Sequence, residues 1–438
     1  MSKKLLQFIL AFLARRTVAK YNPLIIGVTG SVGKTSTRLA IAAVLGGRYR
    51  LRTAGKNYNN EIGLPLTILG IPHCGRNVFR WIVALAAAIR RIIRRDADFP
   101  DALVLEYGVD RPGDMRYLLS IARPRVGVVT AIGSIPVHVE FFSDADAVAA
   151  EKAELVRALD GDGAVILDMD DARVASLRDA TDARAITYGF DKRADLRIVH
   201  CAPRVVRHPA AGDVPDGISM KIQYGGAVLP VRLDSCFGFP HVISAAAAAA
   251  TGIALGMNLV EIGACLRNYI PPPGRLRIIE GVRHSVILDD TYNAAPESVQ
   301  AALDTLVLLP GKRKVAVLGD MRELGRFSAP AHRAVGRRAA ECADVLLIVG
   351  AEARIIANEA AIPDVSRKSS VLPPERVFKF DDALSAGKAL RRMIQKGDLI
   401  LVKGSQAMRM ERIVEEIMAH REDAGELLVR QDPEWKRK

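Results

Sequence analysis

The stretch GVTGSVGKTST, Gly27 to Thr37, sets glycines, one lysine and several hydroxyls between an apolar run (24–28) and a helical pattern (35–45). A strand that turns through glycines into a helix offers backbone N–H groups at the positive end of the helix dipole, which suits phosphate. Lys34 then lies along the terminal phosphates, and the Thr35 hydroxyl is placed to ligate Mg²⁺. The standard P-loop has a further glycine, four residues removed from its Gly-Lys pair, where this chain has Val28. What stands is a shorter G-x-x-G-K-T-x-T. It predicts a nucleoside triphosphate site on Gly30, Ser31, Gly33, Lys34, Thr35 and Ser36. By itself it leaves GTPase, kinase, motor and ligase open.

Other residues with ligand chemistry are scattered. Glu106 ends the apolar run ALVLE, where an acid beside a phosphate loop would give Mg²⁺ an oxygen. His138 follows the run VGVVT by a loop, and Lys152 sits on a helical pattern; taken singly, each is as ordinary in a structural or solvated role. The order of motifs carries more. GSVGKTST, NYNNEIGLP (57–65), VLEYG (104–108), VHVEFF (137–142), EKAEL (151–155), GRL (274–276), LDDTYNAAPES (288–298), LGDMRELG (318–325) and VKGS (402–405) follow one another as in the Mur ligases. Over residues 24–418 the chain resembles that family, most closely its MurF type, the UDP-N-acetylmuramoyl-tripeptide:D-alanyl-D-alanine ligases.

The resemblance implies an ATP-dependent peptide ligase of cell-wall precursor synthesis. In that chemistry a substrate carboxylate attacks the γ-phosphate of ATP, giving an acyl phosphate and ADP. An amine then displaces phosphate, joining D-alanyl-D-alanine to a muramoyl peptide. Cations must neutralise the charge that builds up when a carboxylate meets a triphosphate. By the same resemblance, Lys34 and Arg275 lie on the phosphates, and Thr35 and Glu106 hold one Mg²⁺. His138 holds a second, bridged by a carbamate on Lys152, so ATP and two Mg²⁺ are the expected cofactors. Asp290, Tyr292 and Asn293 line the nucleotide from a second domain, and Asn59, Asn60 and Glu61 face the acceptor. Asp320, Glu323, His332 and Lys403 mark positions in the C-terminal domain, with no role assigned to His332.

The chain departs from the family in three places. MurF-type chains carry a domain ahead of the phosphate loop that grips the UDP of the acceptor, whereas 23 residues precede the strand here, so that grip is expected to be missing. The Asn-Ile-Gly ahead of the metal histidine is Ala131-Ile132-Gly133, with four residues before His138 in place of two. The His-Asn pair before the Ala-rich helix is His241-Val242. These changes leave the phosphate and metal ligands in place and alter the acceptor side. A lipid-linked or polyglutamate-type acceptor is therefore one alternative, and a non-catalytic nucleotide-binding scaffold is another.

The elements that must place these residues read as α/β throughout. Strand candidates at 24–29, 102–106, 126–130 and 164–167 alternate with helical patterns, which predicts a mainly parallel sheet with helices on both faces. Shorter alternating runs between 195 and 235 predict a small antiparallel sheet appended to it. The Ala-rich stretch 244–255 predicts a tightly buried helix. Pro271-Pro272-Pro273-Gly274 breaks the chain. A second series, at 285–288, 314–318, 345–349 and 399–402, predicts a Rossmann-like unit whose strand ends face the first site. The expected division is a basic N-terminal helix over 1–23, a P-loop-type ATP-binding domain over 24–282 and the Rossmann-like domain over 283–438. The tail after Ala419 is expected to be peripheral.

Half of the 438 residues are hydrophobic and a quarter charged, which is globular material for two or three domains. Five dispersed cysteines without a C-x-x-C pair indicate a reducing, cytoplasmic setting and no cysteine metal site. The formal charge of +13 invites a nucleic-acid reading, but aromatics are 5% of the chain and do not interleave with the basic residues, so no such partner is expected. Two stretches without an acid carry much of the excess: residues 1–23, with Lys3, Lys4, Arg15, Arg16 and Lys20, and residues 79–95, FRWIVALAAAIRRIIRR. Both read as basic amphipathic helices with apolar runs too short to span a bilayer. They are expected to pack on the body of the protein, with peripheral contact to an anionic membrane surface at its inner face as the alternative.

Overall fold

The computed structural model describes residues 3–54, 58–75, 77–134, 139–208, 212–234, 236–362 and 371–436. The first sheet holds β1 (Leu24–Thr29), β2 (Leu51–Thr53), β3 (Ala102–Glu106), β4 (Val126–Val129), β5 (Ala164–Asp168), β6 (Arg184–Gly189), β7 (Leu196–His208), β8 (Gly212–Tyr224) and β9 (Ala227–Asp234). Their order is β2-β3-β1-β4-β5-β6-β7-β8-β9. Pairing is parallel from β2 to β7 and antiparallel across β7, β8 and β9. The antiparallel strands thus continue the same sheet, joined at Tyr188–Leu196 and Gly189–Arg197. Strands β3, β4 and β5 are buried from end to end and apolar up to the acids that close β3 and β5, because helices cover both faces of a parallel sheet.

Helices α1 (Lys3–Tyr21), α3 (Gly63–Leu69), α4 (Val78–Ile93) and α5 (Asp114–Ile121) pack in one core cluster, and α2 (Lys34–Leu45) packs with the helix Phe239–Ala254 in another. The helix Ala145–Arg157, our α6, covers β4 and β5. In the helix Phe239–Ala254 the six alanines Ala245 to Ala250 are fully buried, and their small side chains let it lie close against α2.

The second sheet holds β10 (Arg277–Gly281), β11 (Ser285–Asp290), β12 (Arg313–Gly319), β13 (Val345–Val349), β14 (Val377–Phe380) and β15 (Asp398–Lys403), ordered β10-β11-β15-β12-β13-β14. Only β10 runs antiparallel. Because β10 pairs with β11, this sheet starts at Arg277, ahead of the division expected at 283. The two units are bridged by Glu297, whose Oε1 accepts from the Ser134 amide and hydroxyl at 2.8 Å each, and by Arg326, which donates to the Ser143 carbonyl at 3.1 Å.

Two expectations need correcting. The tail after Ala419 is not peripheral: Ala424 and Leu428 are buried, and Arg430 donates to the Thr291 and Tyr292 carbonyls while pairing with Glu411 at 2.8 Å. The two basic helices do pack on the body, burying Leu10, Leu13 and Ala14 of α1 and Trp81, Ala84 and Ala88 of α4. Lys20 donates to the Ile92 carbonyl at 2.7 Å, and the Tyr21 hydroxyl to that of Arg91 at 2.7 Å. Each nonetheless keeps a second apolar side in solvent, which amphipathicity with one face does not describe.

The alanine contact is testable. Ala248→Leu inserts bulk where no space exists, and overpacking of this kind costs about 1–3 kcal/mol. Thermal unfolding of the variant should begin several degrees lower; an unchanged midpoint would mean that the helix is not tightly seated.

Candidate active site

The chain turns from β1 into α2 where the strand order reverses, with β3 on one side of β1 and β4 on the other. Ligands of open α/β sheets bind at such a point, beyond the carboxyl ends of the strands. Gly30 and Gly33 both hold positive φ, 136° and 87°. A Cβ on Gly30 would stand 2.0 Å from Thr130 Oγ1, so only glycine lets the loop close onto the end of β4. The Ser31 and Val32 amides donate to the Ala131 carbonyl at 2.9 and 3.1 Å, which fixes the turn. The amides of the first turn of α2 have no partner within the helix and are left for an anion.

Lys34 folds back over the loop, its Nζ donating to the Gly30 carbonyl at 2.8 Å. Burial lowers its pKa from the ordinary value, Glu106 opposes this, and the Arg275 cation adds to it. Glu106 lies at the end of β3, in register with Val28 of β1, and is buried. Its Oε1 accepts from Arg38 Nε at 2.6 Å, while its Oε2 stands 3.3 Å from the Thr35 hydroxyl. Arg38 also donates to Thr53 and to the Ala54 carbonyl. One carboxylate oxygen is thus held by a cation, and the other meets a hydroxyl beside the phosphate loop. Two hard oxygens in this position fit Mg²⁺, which takes few protein ligands and completes its shell with phosphate and water. Among the described residues no cluster of three or more His, Cys, Asp or Glu is suited to a metal ion. His138 lies outside the described residues.

Arg275, on the linker just ahead of β10, and Tyr292, Asn293 and Ser298 of the C-terminal unit face this loop and close a narrow pocket with Ser31, Gly33, Lys34, Thr35, Asn59 and Glu106. The Arg275 guanidinium lies 4.0 Å above the Tyr292 ring. Its Nε and the Ser31 Oγ are buried without a hydrogen-bond partner. Orphaned polar groups of this sort are costly unless a ligand meets them. His241 holds the Arg275 backbone: its Nε2 is 2.7 Å from the Arg275 carbonyl and its Nδ1 2.8 Å from the Tyr269 hydroxyl. A carbonyl only accepts, so Nε2 carries the proton and Nδ1 accepts from the tyrosine. Burial holds this histidine at a pKa of about 4 and hence neutral.

A larger cavity of about 640 Å³ shares Val32 and Gly33 with the narrow pocket and extends past Phe190, Phe239 and Ile243 to Asp168 and Glu297. Burial raises the Asp168 carboxyl to a pKa of about 7, with Asp170 and Asp171 adding to the rise. On α6, Lys152 is buried; desolvation and the Lys34 cation push its pKa down to about 7.

Other expected site residues have different partners. Of the acceptor trio, Asn59 lines the narrow pocket, but Asn60 Oδ1 accepts from the Gly63 amide at 2.9 Å at the start of α3. Glu61 is turned to α1, accepting from Gln7 at 2.8 Å and pairing with Lys3 at 3.2 Å. Asp290 pairs with Lys403 at 2.6 Å, both buried, and Lys403 also donates to the Asn293 carbonyl at 2.9 Å. These two residues hold the Tyr292 loop from behind. The buried Ser36 stands in the first turn of α2, behind the loop. In the C-terminal unit Asp320 accepts from the Ala353 amide and from Arg322, and His332 Nε2 accepts from the Met321 amide at 3.1 Å. His332 therefore shapes the turn that contains Glu323, whose φ is 66°.

Three residues escaped the sequence reading. Arg38 had a signal, since it lies four residues after Lys34 on the same helical face. Glu297 lay within the quoted motif LDDTYNAAPES without a role of its own, and Arg430, in the tail, had no signal beyond its charge. The Arg38 contact makes a prediction. Arg38→Met leaves the buried Glu106 carboxylate uncompensated, which costs about 3–5 kcal/mol. Urea unfolding should register that loss, and a cost below 1 kcal/mol, the usual upper size for an exposed ion pair, would contradict it.

Two family models match the chain: the Mur ligase middle domain over residues 85–216 and the Mur ligase glutamate ligase domain over residues 274–406. The UDP-N-acetylmuramoyl-tripeptide–D-alanyl-D-alanine ligase of Mycobacterium tuberculosis is 30% identical over 410 residues, covering 90% of this chain and 73% of that protein. The solved structure of MurF from Thermotoga maritima, a complex with ADP, superposes with a TM-score of 0.73 at 25% identity and covers 94% of this chain and 83% of its own. MurF from Acinetobacter baumannii shares the fold, with a TM-score of 0.75 at 24% identity over 94% of this chain and 80% of its own. With the phosphate loop, the facing Arg275 and a relative 30% identical over 90% of this chain, the chain belongs to the Mur ligase family and is of the MurF type.

Proposed function

We propose that the protein is an ATP-dependent peptide ligase that joins D-alanyl-D-alanine to a muramoyl peptide in cell-wall precursor synthesis. The observation that carries this reading is the narrow pocket between the two units, where Lys34, Arg275 and the orphaned Ser31 hydroxyl converge on one space. The triphosphate lies along the loop and the first turn of α2, with the base in the larger apolar cavity that opens from Val32 and Gly33. An acceptor carboxylate oxygen bonds to the γ-phosphorus as the bond to ADP breaks, leaving an acyl phosphate. The amine of the dipeptide then attacks the acyl carbon, phosphate leaves with its oxygen, and the amine gives up a proton. Lys34 and Arg275 stabilise the charge on the transferring group, and Asn59 positions the acceptor beside it. Thr35 and Glu106 would hold Mg²⁺, which would add neutralisation of the phosphate oxygens.

A second Mg²⁺ site is proposed on His138 and a carbamate of Lys152. Its support is the buried Lys152 amine, whose pKa, lowered to about 7, leaves a substantial neutral fraction near neutral pH that can react with CO₂. A second reading of the substrate, a peptide carried on a lipid at the inner, cytoplasmic face of a membrane, is favoured by one observation: the α1 helix that braces Glu61 exposes apolar side chains. Phosphate release from ATP, measured with UDP-N-acetylmuramoyl-tripeptide and D-alanyl-D-alanine and with each omitted in turn, tests the primary reading. Release should require both; release that ignores the dipeptide would sink it.

Two substitutions probe the chemistry. Lys34→Ala should lower turnover about 10²-fold or more while the fold persists, since one aimed charge is removed; parental turnover would refute the assignment. Lys152→Ala should be inactive yet partly recovered by acetate or another short carboxylate that replaces the carbamate. Full activity without additive would show that no carbamate is needed.

A further inference from the structure

The outer side of α4 is apolar for its whole length. Phe79, Ile82, Ile89 and Ile93 are 75%, 59%, 44% and 75% exposed, and their spacing of three, seven and four residues keeps them on one stripe. The opposite stripe, through Trp81, Ala84 and Ala88, is the one buried in the core. On α1, Phe8 and Phe12 are likewise 66% and 45% exposed, on the side away from Leu10 and Ala14. The two helices meet at their C-terminal ends, through the Lys20 and Tyr21 contacts to residues 91 and 92. An exposed apolar surface of this extent on a folded domain marks a contact with something else.

Charge says what. Lys4, Arg16, Arg80 and Arg90 are exposed on these two helices, as is Arg94 just past the end of α4, and neither helix contains an acid. A second copy applied to the same face would set guanidinium against guanidinium, because a two-fold contact pairs a surface with itself. An anionic lipid surface answers both features, giving counter-charge at the headgroups and hydrocarbon below them. No described helix is long and apolar enough to cross a membrane, so the contact is a peripheral one.

We propose that the exposed sides of α1 and α4 form a docking surface for an anionic lipid bilayer. Through Gln7 and Lys3, α1 also holds Glu61, two residues from the pocket residue Asn59, so docking sets the acceptor side of the pocket next to the membrane-bound helix. The docking itself does not rest on the ligase reading, since lipid binding is measured without substrates.

The test is co-sedimentation of the full chain with vesicles of phosphatidylcholine alone, or of phosphatidylcholine and phosphatidylglycerol in equal parts, at low and high salt. The protein should bind the mixed vesicles at low salt and be released at high salt. The double variant Phe79→Glu, Ile82→Glu should bind at least about tenfold more weakly. Arg90→Ala with Arg94→Ala should lose about fivefold per residue on the anionic vesicles. Both variants should keep the parent's thermal midpoint; if the first unfolds, the second carries the test. Absence of binding at low salt, equal binding to both vesicle types, or unchanged binding by the arginine variant would overturn the proposal. So would a dimer in sedimentation velocity that Phe79→Glu, Ile82→Glu dissolves in a protein that ignores vesicles, which would assign the face to a second copy.

Discussion

A carboxylate and a triphosphate repel each other, and the ligase chemistry needs them in van der Waals contact. The domain interface is built around that repulsion. Lys34 reaches the site from the loop after β1 and Arg275 from the linker into the second sheet, so the two cations arrive from opposite sides. Each has given up water to be there, as the lowered pKa of Lys34 records. Charges held in a water-poor cleft act on a developing anion more strongly than the same charges in solvent.

Much of the surrounding structure serves to hold those groups still. Arg38 fixes one oxygen of Glu106 and leaves the other beside Thr35. His241, neutral and with its Nε2–H on the Arg275 carbonyl, fixes the backbone from which the guanidinium extends. Behind Tyr292, Lys403 pairs with Asp290 and grips the Asn293 carbonyl, while Arg430 comes back from the tail to bond the carbonyls of Thr291 and Tyr292. The second sheet therefore reaches the site through one short loop braced by two buried cations. Bridges such as Glu297 to Ser134 then register that loop against the first sheet.

Local pattern made the strands and the loop legible: apolar runs bounded by polar residues or glycine place β1, β3, β4 and β5 within a residue or so of their observed ends. The turn of the loop could be read the same way, as with Gly30 and Gly33, both of which hold positive φ. Partner choice is tertiary, and there the reading from sequence slipped. Asn60 stands among polar neighbours that suggest a ligand, yet a helix start consumes its side chain; Glu61 answers to α1, more than fifty positions earlier in the chain. Asp290 and Lys403 each look like site residues, and only their pairing across adjacent strands β11 and β15 shows that they neutralise one another. Arg430 lies in a charged tail whose composition gives no hint that it folds back. Charge counting found the basic helices, but a count does not reveal that α4 has two apolar sides.

Oxygen transfer tests the central claim most directly. With ¹⁸O in the acceptor carboxylate, an acyl phosphate carries one labelled oxygen as its bridge, and that oxygen leaves with the phosphate when the amine attacks. Mass spectrometry of the products should find the label in inorganic phosphate, with ADP as the nucleotide product. Label in AMP, or amide formed with unlabelled phosphate, would contradict the account.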